Sequence, residues 1–166
     1  MTQEKLVCLF EEYKTKIYRF CIQLTKNRAD ADDLFQDTFL LAFQKHARID
    51  ENQNPKSYLF TVCLNLWKTE SKKRKAVSYQ NESERISSSV DLEANMILKE
   101  RKQIITQAVS ELKENQRLPM YLYYSADMSV SEIAKILKIP EGTVKSRMHK
   151  ARAILRERLE KQYGRQ

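Results

Sequence analysis

Thr143, Lys145, Ser146, Arg147, His149 and Lys150 stand within one run of eight residues, and each carries a group able to donate a hydrogen bond. On a helix turning about 100° per residue, Ser146, His149 and Lys150 share an outward face with Gly142 and Ala153. Lys145 lies at its edge, with Thr143 and Arg147 on the flanks. Val144, Met148, Ala151 and Leu155 form the apolar stripe behind. A glycine that lets a backbone come close, then small polar and basic groups, suits a helix lying in a DNA major groove. That is recognition chemistry, in which no bond is made or broken.

Asp30, Asp33 and Asp37 recur at helical spacing and would be the carboxylates of a metal-dependent nuclease. No histidine or second carboxylate cluster accompanies them, and their places suit a helix dipole and partner contacts instead. Cys8, Cys21 and Cys63 are odd in number, far apart and each within an apolar pattern, which predicts buried free thiols rather than a disulfide or a zinc site. No metal, no cofactor and no enzymatic activity are expected.

The elements that must carry the basic face follow from spacing. Val130, Ile133, Ala134 and Leu137 pattern a short helix, with Ser129 or Ser131 available as its N-cap. Pro140 and Glu141 restart the chain, a proline being tolerated in a first helical turn. The short break, the small Ala134 and the clustered cations favour a helix-turn-helix over an ordinary helical hairpin with a solvated basic face. Upstream, Ile97, Ile104, Ala108, Val109 and Leu112 pattern one helix, and Asn115 can cap another. Pro119 would then fall at the fourth position of a first turn, where N–H groups lack helical partners. Met120, Leu122, Tyr123 and Tyr124 would pack beneath the helix-turn-helix.

Two glycines and three prolines in 166 residues leave long periodic segments, so the chain is expected to be all-α. Its net charge of +8 favours an anionic partner such as nucleic acid or an acidic membrane surface. No apolar run is long enough to span a membrane and residues 1–7 do not read as a signal peptide, so a cytoplasmic location without stable membrane insertion is expected.

Leu6, Phe10, Tyr13, Ile17, Phe20 and Leu24 alternate steps of four and three, which predicts a first helix over residues 3–26. Residues 27–29 read as a turn, and Ala29 or Asp30 opens a second helix. There Ala31, Leu34, Phe35, Thr38 and Ala42 can face a core, while Phe39, Leu40, Leu41 and Phe43 continue round the cylinder. Such a helix is either sandwiched in its own fold or docks on another protein; exposed Asp33, Gln36 and Asp37 lean toward a partner surface with a polar rim. Residues 46–54 read as polar and flexible.

Asn54 and Pro55 open a third helix, with Leu59, Val62, Cys63 and Leu66 as its core face and Tyr58, Phe60 and Trp67 beyond that stripe. Five cations follow in residues 68–75, among them Lys68 and Lys72. Aromatics with a basic tail would suit melting DNA, whose unpaired bases stack on rings while lysines track phosphates. The alternative is a core role for Tyr58 and Trp67, and for Tyr58 the core role is preferred. Residues 76–93 hold five serines and four carboxylates against one arginine, which predicts a flexible linker between domain 1–75 and domain 94–166.

The layout resembles a bacterial extracytoplasmic-function sigma factor of the sigma-70 family over nearly the whole chain. DADDLFQDTF is similar to that family's polymerase-binding signature, SYLFTVCLN to its aromatic-rich helix, and SVSEIAKIL with PEGTVKSRMHKAR to its second-domain helix-turn-helix. The resemblance implies two small helical domains and a protein that binds core RNA polymerase to direct promoter-specific initiation. It implies that Asp33, Gln36, Asp37, Phe39 and Phe43 contact the clamp helices of the largest subunit, with the flap of the second-largest as a further contact. Asn65, Lys68 and Thr69 would face the minus-ten promoter element, with Trp67 and Lys72 beside them. The loop bearing Arg48, Asn52 and Asn54 would hold a base flipped from the melted strand. Lys145, Ser146, His149 and Lys150 would read the minus-thirty-five element, with Thr143 and Arg147 on phosphates. An anti-sigma factor is a further implied partner. Two residues depart from the family pattern: Lys138 stands at a turn position usually held by glycine, and Tyr58 where tryptophan is common. The alternative is a stand-alone helix-turn-helix repressor or activator, which leaves the helices around Phe39 and Trp67 without a role.

Overall fold

The computed structural model describes residues 1–77 and 96–164. All regular structure in them is helical, and the chain divides into two compact units, Met1–Ile86 and Ser87–Gln166. That division falls within residues 76–93, the expected linker, of which residues 78–93 lie outside the described residues. So does the expected resumption of helical patterning near Leu92.

The first unit is a three-helix cluster of α1 (Gln3–Thr25), α2 (Arg28–Gln44) and α3 (Pro55–Val77), each touching the other two. Most of the α1 seam forms as its spacing requires: Leu6, Phe10, Ile17, Phe20 and Leu24 are buried, joined by Cys21, while Tyr13 is only half-buried. Thr2 caps its start by accepting from the Lys5 N–H, and Lys26 ends it in the left-handed region at φ 52°. Helix α2 begins earlier than expected. Asn27 is its N-cap, accepting from the Asp30 N–H at 3.1 Å, so Arg28 and Ala29 are helical rather than a turn. Ala31, Leu34, Thr38 and Ala42 are buried, and the Thr38 hydroxyl donates to the Leu34 carbonyl at 2.6 Å.

Two expectations are corrected, one in α3 and one in α1. Phe60 is wholly buried and meets Phe20 at 5.3 Å between ring centres, so it is core and not an aromatic beyond the stripe. Burying each such ring contributes about 1.5–3 kcal/mol. Cys8 is exposed, and only Cys21 and Cys63 are buried thiols. The segment between α2 and α3 holds a 3-10 turn, His46–Arg48, and buried Ile49 plugs it into the core. Lys5 reaches across to Glu51 at 2.7 Å, so the loop expected to be polar and flexible is pinned at two points.

The second unit places α7 (Glu141–Tyr163) against α4 (Met96–Ser110), α5 (Glu114–Tyr124) and α6 (Val130–Leu137). Helix α5 starts at Glu114 after Lys113, so Asn115 lies inside it and is not its cap. Pro119 is therefore the sixth helical residue, two places beyond the first turn, and the Arg117 N–H before it already bonds the Lys113 carbonyl. The carbonyl it leaves without a helical donor is that of exposed Asn115, where water can serve. From Arg117 to Leu122 every residue of α5 is buried. Tyr123 and Tyr124 are exposed and do not pack beneath the helix-turn-helix; Tyr121 and Leu118 take that role with Met120 and Leu122. Arg117 is 3% exposed and donates to the Leu112 carbonyl at 2.8 Å, and burial lowers its pKa.

Candidate nucleic-acid and partner-docking surfaces

Helix α6 is locked at its start by reciprocal bonds: Glu132 N–H to Ser129 Oγ at 3.2 Å, and Ser129 N–H to Glu132 Oε2 at 2.7 Å. Such a capping box satisfies two donors that a helix start otherwise leaves bare. Lys138 adopts φ 55°, ψ 48°, and its N–H and that of Ile139 both return to the Ala134 carbonyl. Pro140 is the N-cap of α7, just ahead of the first turn rather than in it.

This turn presents α7 as its pattern requires. Val144, Met148 and Ala151 are buried, Leu155 is half-buried, and Gly142, Lys145, Ser146, His149, Lys150 and Ala153 are exposed. Thr143 and Arg147 are half-buried at the flanks. The Ser146 hydroxyl donates to the Thr143 carbonyl at 3.1 Å, which leaves its lone pairs free to accept from a base amine. A Cβ built at Gly142 meets nothing within 4 Å, so the fold does not need a glycine there. One cation of this face escaped the sequence reading. Arg152 Nε donates to the Tyr124 hydroxyl at 3.0 Å, and its guanidinium lies 5.6 Å from that ring's centre. Its spacing of seven from Lys145, two turns along the same edge, was the available signal.

In the first unit the outer face of α3 gathers Tyr58, Asn65, Lys68, Thr69 and Lys72. All but half-buried Tyr58 are exposed. Arg48, Asn52 and Asn54 are exposed in the adjoining loop. Tyr58 is half-buried rather than a core residue; burial raises its phenol pKa, an effect the Arg48 charge partly offsets. The Asn54 side chain accepts from the Ser57 N–H at 3.3 Å, so its carbonyl is engaged as the α3 cap. Trp67 does not join this face. It lies half-buried along the Phe60–Cys63 line, roughly opposite Asn65 round the cylinder. Thr61, absent from the sequence reading, shares the outer face, but its hydroxyl is spent on the Ser57 carbonyl.

Helix α2 exposes Asp33, Gln36 and Asp37 in one row, and Leu40 continues that row at 54% exposure. Leu40, expected only as apolar surface continuing round the cylinder, belongs to this row; it recurs seven residues after Asp33. Phe39 and Phe43 are half-buried at the edge, braced by Phe10 at 4.7 Å from Phe39 and by each other at 5.8 Å. Asp30 stands apart from the row. It is held by both terminal nitrogens of Arg74, which keeps its carboxyl below the usual range. Among the described residues no three of His, Cys, Asp and Glu gather as metal ligands, and no helix is long and apolar enough to cross a membrane.

Residues 9–77 match the Sigma-70 region 2 family and residues 102–155 match Sigma-70, region 4. The chain is 29% identical to the ECF RNA polymerase sigma factor SigW of Bacillus subtilis, over 95% of this chain and 90% of that one. It is 32% identical to SigL of Mycobacterium tuberculosis, over 89% and 85%. The sigma factor RpoE of Bartonella quintana, solved with the anti-sigma factor NepR, superposes with a TM-score of 0.73 at 26% identity, covering 92% of this chain and 96% of that one. CnrH, solved with the cytosolic domain of CnrY, shares the fold at 0.68 and 21% identity, covering 96% of this chain and 90% of that one. The region 2 match accounts for the half of the chain that a stand-alone helix-turn-helix regulator leaves without a role. This protein belongs to the extracytoplasmic-function sigma factors of the sigma-70 family, with regions 2 and 4, and it directs promoter-specific initiation by RNA polymerase without being an enzyme itself.

Proposed function

We propose that the α2 row docks on the clamp helices of the largest polymerase subunit, through Asp33, Gln36, Asp37, Phe39 and Phe43 with Leu40 at its middle. The observation that carries this reading is Leu40, a leucine more than half in solvent inside an otherwise polar row. An isolated apolar anchor with a polar rim is the pattern of a docking hot spot. The second domain would reach the flap of the second-largest subunit.

On DNA, the α7 face would read the minus-thirty-five element through Lys145, Ser146, His149 and Lys150, with Thr143 and Arg147 on phosphates. The α3 face would meet the minus-ten element through Asn65, Lys68, Thr69 and Lys72, and the loop with Arg48, Asn52 and Asn54 would hold an unstacked base. Trp67, facing away, would support that helix instead of stacking on DNA. Each domain offers few contacts, so promoter affinity would be weak until the polymerase holds both over correctly spaced elements and raises their effective concentration there. These steps place the protein in the cytoplasm. An anti-sigma factor is a further proposed partner, supported by the likeness to RpoE, which was crystallised with one.

Run-off transcription with core polymerase tests the division of labour. Lys150→Ala is expected to weaken use of the minus-thirty-five element while core binding stays intact; loss of both would remove its assigned role. Asp37→Arg with Phe43→Ala is expected to lower core affinity with the helical signal preserved, and a collapsed circular-dichroism signal would make them core residues.

A further inference from the structure

We propose that Asp30 and Arg74 form a positioning clamp that aims the minus-ten face of α3, and that Arg74 is not itself a DNA contact. The inference rests on the reading of the α3 outer face given above.

The last fully buried residue of α3 is Leu64, and Trp67 beyond it is half-buried. From Lys68 through Ala76 every residue but half-buried Ser71 is exposed. Some nine residues of helix, about 13 Å, therefore run on with little apolar surface to hold them. Lys72, Lys73, Arg74 and Lys75 stand side by side on that overhang and repel one another. An unsupported helix end of this kind frays.

Arg74 is the residue that ties it down. Its Nη1 and Nη2 donate to the two oxygens of Asp30 at 2.6 and 2.8 Å, a planar fork on a planar carboxylate. Two parallel bonds fix orientation as well as distance, which a lysine cannot do. The anchor is itself fixed, because the Asp30 N–H is bonded to the N-cap Asn27 and its helix is packed against α1 and α3.

Helical geometry then gives the clamp its consequence. Arg74 follows Asn65 by nine residues and Lys72 by two, so both lie about 180–200° round the cylinder from it. Pulling Arg74 onto α2 turns Asn65 and Lys72 outward, with Lys68 and Thr69 beside them. One of the five cations of the basic tail is thus spent within the protein so that the others point at DNA.

The sign of one substitution separates the two roles. If Arg74 gripped a phosphate, Asp30→Asn would release it and strengthen promoter binding. A clamp predicts the reverse. With full-length protein on core polymerase, Asp30→Asn and Arg74→Gln should each slow open-complex formation about 3- to 10-fold, read by permanganate reactivity of the melted strand. The double variant should be no slower than either single one. Arg74→Lys, keeping one bond, should fall between. Under the clamp the slope of the salt dependence of promoter binding should be the same in Arg74→Gln and Asp30→Asn, whereas a lost phosphate contact lowers it by about 0.9 in Arg74→Gln alone. Faster opening by Asp30→Asn, additive effects in the double variant, or a slope reduced in Arg74→Gln but not in Asp30→Asn would overturn the clamp. Asn65→Ala and Lys72→Ala run alongside. If neither slows opening, the reading of the α3 face has failed; if they do and Asp30→Asn does not, only the clamp has.

Discussion

The sulfur atoms of Cys21 and Cys63 lie 3.5 Å apart, wholly buried where α1 meets α3. Neither reaches solvent, while Cys8 on the outer side of α1 does. A thiol must reach a reagent as thiolate to react. In native protein one cysteine of three should therefore be alkylated rapidly, and peptide mapping should identify it as Cys8. The other two should react only on unfolding; fast native labelling of Cys21 or Cys63 would mean that this core opens.

The same pair makes the first domain sensitive to alkali. The hydrogen bond to Cys63, and then burial, push the Cys21 thiol above its ordinary value of 9.0. Above that pH the unfolded chain loses a proton that the folded chain keeps. Stability present below the unfolded value is thus lost as pH rises, at about 1.4 kcal/mol per unit for one group. Urea midpoints followed by Trp67 fluorescence should fall from about pH 8 to about pH 10, and the fall should flatten in Cys21→Ala.

Lys138 holds the turn between α6 and α7 at φ 55° with a side chain that disfavours it. Relieving the left-handed strain with glycine gains about 1–2 kcal/mol, and glycine's greater freedom in the unfolded chain takes back about 0.5–1. Lys138→Gly should therefore stabilise the second domain by roughly 0.5–1 kcal/mol. The single tryptophan lies in the first domain, so the gain should be visible in circular-dichroism melts and absent from Trp67 fluorescence.

What the sequence made legible was what periodicity encodes. The four-and-three seam of α1, half-buried Tyr13 apart, and the stripe from Val144 to Ala151 are buried as their spacing demands. What it concealed depended on a second neighbour. Phe60 lies off the stripe read for α3, yet α3 packs on both α1 and α2 and so buries more than one stripe. Helix α5 is buried all round from Arg117 to Leu122, which erases any stripe and made Tyr123 and Tyr124 look equivalent to their neighbours. Ile49, one apolar residue in a polar run, gave no periodic signal at all. The Asp30–Arg74 pair spans 44 positions, beyond the reach of any local pattern.

Leu40 gives the docking surface its sharpest test, because its exposure means that the fold hardly needs it. Leu40→Asp should leave the Trp67 unfolding midpoint unchanged and lower affinity for core polymerase at least about 10-fold, the effect of losing a buried anchor. An unaltered affinity would place the polymerase contact elsewhere on α2.

Gly142 separates the needs of the fold from those of DNA. Open space surrounds its Cα, so alanine fits without a clash. Glycine within a helix costs about 0.5–1 kcal/mol relative to alanine, with the lower end applying here in the first turn of α7. Gly142→Ala should therefore stabilise the second domain slightly in circular-dichroism melts. If the start of α7 enters the major groove, the added methyl group takes the place of the approaching DNA. Run-off transcription from promoters that depend on the minus-thirty-five element should then fall, while core binding is unaffected. A variant that is both stabler and fully active on such promoters would show that the start of α7 stands clear of the groove, and the reading by Lys145 and Ser146 would fall with it.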